Sequence, residues 1–105
     1  MTDYDIDRLS AKQAERKINE IARLGFIIPT DHLTDRMGER DYNFRDLERI
    51  LSFGKVDKPP EYDEEYGQWK YKVEGKTTEG EKATVVVAIV GHNEIVGITI
   101  MDKQE

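Results

Sequence analysis

The hydrophobic period of this chain changes once, and that change divides it. Between Ser10 and Gly54 apolar residues recur at helical spacing, whereas from Gln68 to Asp102 they alternate or run without a break. The first pattern lays an apolar stripe along helices; the second builds strands. Helices followed by strands predict an α+β fold, with N-terminal helices packed on one face of an antiparallel sheet of about three to four strands. A chain of 105 residues is long enough for one core and too short for two. The expectation is a single domain over 1–105, its helical part about 10–54 and its sheet part about 55–102.

In "LSAKQAERKINEIARLGF" Ser10 is placed to cap a helix, Ala14, Ile18, Ile21 and Ala22 form its buried stripe, and Gly25 stops it. Pro29 restricts Ile28 to extended geometry, so "IIPT" breaks the helix and Thr30 becomes the N-cap of a second, short one with Leu33 and Met37 inward. Gly38 weakens its last turn and leaves Arg40 at or past the end. In "YNFRDLERILSFGKV" Asn43 caps a third helix, Asp46 complements its positive end, Phe44, Leu47, Ile50 and Leu51 supply the buried face, and Gly54 ends it.

"QWKYKVEG" alternates polar and apolar residues and reads as a strand with one buried face. "KATVVVAIVG" is apolar on both faces, as a central strand would be, and "EIVGITIMD" follows the turn "GHNE" to close an antiparallel hairpin. Pro59 and Pro60 limit any strand near "GKVDKPPEYD" to an edge. Strict alternation turns Trp69, Tyr71, Val73, Val85, Val87, Ile89, Val96, Ile98 and Ile100 toward the helices. It turns Lys70, Lys72, Thr84, Val86, Ala88, Gly97 and Thr99 to the opposite face. That second face is shallow, built of small residues and edged by lysines, which suits a ligand or a protein contact.

The net charge of -6 argues against non-specific binding to nucleic acid, because phosphate affinity comes from Lys and Arg. The charge is uneven: Ser10 to Lys58 carries ten basic residues against nine acidic, Pro59 to Glu105 five against ten. The acidic run "EYDEEY" reads as a solvated loop. Without cysteine the chain has no disulfide framework, zinc-thiolate site or cysteine nucleophile. No apolar stretch suggests a leader or a membrane span, and the expectation is a cytoplasmic protein with no membrane partner and no cofactor.

One motif carries chemistry. In "TDHLTDRMGER" His32, Arg36 and Arg40 stand four residues apart, along one stripe of a helix. Two guanidinium groups can each grip a phosphate or carboxylate, and an imidazole can exchange a proton near neutrality. Metal-independent cleavage of an RNA phosphodiester needs such groups. The same residues also suit the wet side of an ordinary helix, with Arg36 paired to Asp31 or Asp35. His92, in a turn between strands, is assigned no role.

The stretches "DHLTDRMGERDYNFRDLERILSFGKV", "WKYKVEGKTTEGEKATVVVAIV" and "IVGITI" resemble the domain-of-unknown-function 4258 family over nearly the whole chain from Ser10 on. His32, Arg36, Met37, Glu39, Arg40, Gly54, Tyr71, Gly75, Gly80 and Thr99 occupy matching positions; Lys70 stands where an arginine is common and loses the bidentate fork. The resemblance implies a fold similar to the RelE, MqsR and barnase-EndoU-colicin group of small ribonucleases. It further implies a toxin-like protein acting on RNA or the ribosome, with a small zinc-ribbon antitoxin-like protein of the YgiT type as partner. On that reading His32 is the acid or base, Arg36 and Arg40 clamp phosphate, Lys70 adds a cation, and Lys72, Tyr71 and Thr99 bind. No metal takes part. The competing reading is a non-catalytic interaction module that binds a partner protein through the exposed sheet face. Fold alone does not decide between them.

Overall fold

The computed structural model describes residues 8–102. Its elements run α1 (Ala11–Leu24), β1 (Phe26–Pro29), α2 (Asp31–Glu39), α3 (Phe44–Phe53), β2 (Glu61–Asp63), β3 (Gln68–Lys76), β4 (Lys82–Ile89) and β5 (Glu94–Asp102). The fold is α+β, as the change of period requires. The helix boundaries follow the caps read from the sequence. Ser10 and Gln13 form a reciprocal capping box at α1, Thr30 caps α2 through the Leu33 amide, and Asn43 with Asp46 forms a second box at α3.

Among the described residues the sheet has five strands in the order β1-β5-β4-β3-β2 and is mixed, where the sequence leads one to expect three or four antiparallel strands. The additional strand is β1, which pairs parallel to β5 with Ile27 opposite Ile95 and Ile28 opposite Val96. Four residues are too few to display a period, so the segment looks in sequence like a plain connection. Gly25 makes its docking possible: a Cβ there would lie 2.3 Å from the Asn93 carbonyl oxygen, and Phe26 donates its N–H to that same oxygen. The β2 strand is the short edge that Pro59 and Pro60 allow.

All three helices lie on one face, and the core forms between them and the sheet. Ile18 and Ile21 from α1, Leu33 from α2, and Leu47, Ile50 and Leu51 from α3 meet Tyr71, Val73, Val85, Val87 and Ile100. Phe44, expected inside, is 46% exposed, and Trp69 is half-buried. The Trp69 ring packs edge-on to Tyr62 with centroids 4.9 Å apart, beneath the Arg8 guanidinium at 5.6 Å.

Strict alternation fails in β5. Val85 faces Ile100, Val86 faces Thr99 and Val87 faces Gly97, which leaves Ile98 as the extra residue of a β-bulge. Downstream of the bulge the pattern holds; upstream it is inverted. Ile95 and Gly97 therefore point toward the helices, and Val96 and Ile98 toward the open face, the reverse of the expected assignment. Gly97 has a purpose there: a Cβ would stand 2.6 Å from Leu33 Cδ2, so the missing side chain lets α2 settle against the strand.

A buried carboxylate joins α3 to the turn between β3 and β4. Asp46, 6% exposed, accepts from the Asn43 amide (3.0 Å), the Thr78 amide (3.0 Å) and the Thr78 hydroxyl (2.9 Å). Burial alone would raise its pKa; the hydrogen bonds outweigh it and hold the carboxyl below its ordinary value. Among the described residues no helix is long and apolar enough to cross a membrane.

Candidate functional site

The stripe on α2 lies along the outer edge of β5. Beyond Gly97 no strand among the described residues pairs with that edge, because β1 ends at Pro29. Thr30 takes over, donating its amide to the Gly97 carbonyl (3.0 Å) and its hydroxyl to the Ile98 carbonyl (3.2 Å). Arg36 donates Nε and Nη2 to the Ile100 carbonyl at 3.4 and 3.3 Å. Arg40, the C-cap of α2, pairs through Nη1 with Asp102 Oδ2 at 2.7 Å, and the Tyr42 hydroxyl donates to Oδ1 of the same carboxylate. Burial and the neighbouring Asp102 push the Tyr42 phenol up to about 12.

These contacts satisfy and shield a strand edge that would otherwise be open to pairing with another chain. Both arginines are thus committed to β5. His32 is exposed and makes no hydrogen bond among the described residues.

Lys70 and Lys72 stand elsewhere. They project from β3 onto the face away from the helices, with β4 between them and β5. Adjacent strands lie about 4.8 Å apart, so about 10 Å of sheet separates β3 from β5, and α2 packs over the opposite face. The structure therefore does not bring His32, Arg36 and Arg40 into one cleft with the lysines. Tyr71 faces the core at 1% exposure, and its hydroxyl accepts from the Leu9 amide at 2.9 Å, so it offers nothing to a ligand.

The lysines belong to a trough of their own. It encloses about 250 Å³ on the open face of the sheet, walled by Lys58, Pro59 and Glu61, crossed by Lys70 and Lys72, and closed by Thr99 and Met101. Val86 and Ile98 form its floor with Met101. Lys70 is held loosely by Asp63 at 3.9 Å, while Lys58 and Lys72 make no ion pair among the described residues. Three ammonium groups, one carboxylate and one hydroxyl thus share a concavity with an apolar base. Such a set can hold an anion, accept a proton and return one.

Sequence reasoning identified Lys70, Lys72 and Thr99 but missed Lys58, Glu61, Ile98 and Met101. Ile98 was hidden by the bulge. Lys58 and Glu61 bracket Pro59 and Pro60, whose enforced extended geometry was the available signal. Among the described residues no group of three or more His, Cys, Asp or Glu side chains is placed to hold a metal ion.

An α+β module with an open, lysine-crossed sheet face is the class that this geometry defines. The family model described as "Domain of unknown function (DUF4258)" matches residues 30–102, and the chain belongs to that family. No curated protein and no solved structure matches the chain.

Proposed function

We propose that this chain is a metal-independent ribonuclease of the toxin type, working from the trough on the open face of its sheet. The observation that carries the reading is the gathering of Lys58, Lys70, Lys72 and Glu61 around one cavity. An overall charge of -6 does not oppose it, because affinity for a phosphodiester depends on the cations within reach. The motif order resembles the domain-of-unknown-function 4258 family, and the fold that this resemblance implies, similar to the RelE and MqsR group, runs in the same direction.

Each step has a group to perform it. The Glu61 carboxylate takes the proton of a ribose 2′-hydroxyl, and that oxygen attacks the adjacent phosphorus. Lysine ammonium groups offset the charge that collects on the phosphoryl oxygens. The bond from phosphorus to the 5′ oxygen breaks, and an ammonium group protonates the leaving oxygen. The products are a 2′,3′-cyclic phosphate and a 5′-hydroxyl. In this account Arg36 and Arg40 hold the edge of β5, and His32 takes no part.

The test is RNA incubated with the purified chain in the presence of a chelator, with and without ribosomes. Lys72→Ala and Glu61→Gln should each slow the appearance of cyclic-phosphate ends by about 100-fold or more, and His32→Ala should leave the rate unchanged. Intact RNA in every wild-type sample would overturn the reading.

A second reading rests on the other end of the same face. Phe26 and Ile28 are 61% and 42% exposed there, beside Val96. An apolar strip of this kind suits a protein contact, and the expected zinc-ribbon partner would sit on it. Partner binding lost in Ile28→Asp, with RNA left intact by the wild type, would favour this reading over the first.

A further inference from the structure

We infer that the trough takes single-stranded RNA and rejects the duplex. The inference rests on the ribonuclease reading and concerns the form of its substrate. The cations and the apolar surface are segregated within the cavity. Lys58, Lys70 and Lys72 lie toward the β2 and β3 side, while Val86, Ile98 and Met101 make the floor over β4 and β5. A backbone that follows the lysines must present something to that floor.

In a single strand it presents a base, which can turn out of the chain and lie flat on aliphatic groups and the Met101 thioether. Thr99, also in the lining, offers a hydroxyl to the edge of the base. A duplex keeps its bases paired inward and offers sugar and phosphate on its outside. Charged phosphate set against Val86 and Ile98 would lose water and gain no partner. The size of the cavity agrees: about 250 Å³ is room for one base turned out of its strand.

Among the described residues no aromatic side chain lines the trough, so the base is held by contact with aliphatic groups and sulfur, without ring stacking. Selectivity consequently depends on the floor. The lysines alone would bind either form, because both carry the same phosphates.

The experiment measures binding of one labelled RNA sequence, single-stranded and annealed to its complement, by Glu61→Gln protein, which keeps the lysines and cleaves more slowly by about 100-fold or more. The single strand should bind at least about tenfold more tightly. Met101→Glu added to that background should remove the difference, with folding checked by thermal melting; Ile98→Gln serves the same purpose if the first variant does not fold. Equal binding of the two forms would overturn the inference and leave the ribonuclease reading standing. No binding of either form would overturn both.

Discussion

Replacing Asp46 by alanine should destabilise the fold in a way that depends on pH. The carboxylate accepts three hydrogen bonds and ties the first turn of α3 to the turn at Thr77–Glu81. A hydrogen bond to a charged group contributes about 1.5 to 3 kcal/mol, but Asn43 and Thr78 are exposed and can rebond to water, so the three do not add in full. A net loss of about 2 to 3 kcal/mol follows, or about 10 to 20 °C in melting temperature for a chain of this size. The folded carboxyl titrates below its ordinary value. Its contribution is therefore complete above the unfolded pKa, about 4, and is lost as pH falls through the folded value. Urea midpoints of the wild type and Asp46→Ala, measured at neutral pH and again near pH 3, check both parts. A difference that stays the same at the two pH values, or one under about 0.5 kcal/mol at neutral pH, would refute the reasoning.

Other perturbations test other joints of the fold. Val87→Ala, at a fully buried site on the central strand, should cost about 1 to 3 kcal/mol by chemical denaturation. Gly97→Val should cost at least as much, since the new side chain meets Leu33 at the base of α2. Tyr42 should ionise only near 12 in an absorbance titration; its phenol is neutral in the fold, and the stability tied to that proton is lost as pH rises from about 10 through 12. Arg36→Ala should free the β5 edge at Ile100, seen as faster amide exchange in the second half of β5 and a greater tendency to self-associate.

The elements that could be read from sequence are those whose signals are local. Ser10, Thr30 and Asn43 marked the helix starts because capping depends on residues within one turn. The β4–β5 hairpin was equally plain. What escaped was decided by distant partners. The parallel pairing of β1 depends on Gly25 meeting Asn93, and the reversal of faces in β5 depends on a single bulge at Ile98. The candidate site divided along the same line. Helical spacing put His32, Arg36 and Arg40 on one stripe, yet it carried no information that Ile100 and Asp102 would engage both arginines. Lys58 and Glu61 joined Lys72 only through the course of the chain around two prolines.

On the proposed reading the functional surface is the sheet trough and not the α2 stripe. Titrating isotope-labelled Glu61→Gln protein with a short single-stranded RNA, and following backbone amide resonances, tests it most directly. Shifts should concentrate at Lys58, Lys70, Lys72, Val86 and Ile98 through Met101, with His32 through Arg40 unmoved. Shifts concentrated at His32, Arg36 and Arg40, with the trough silent, would contradict it.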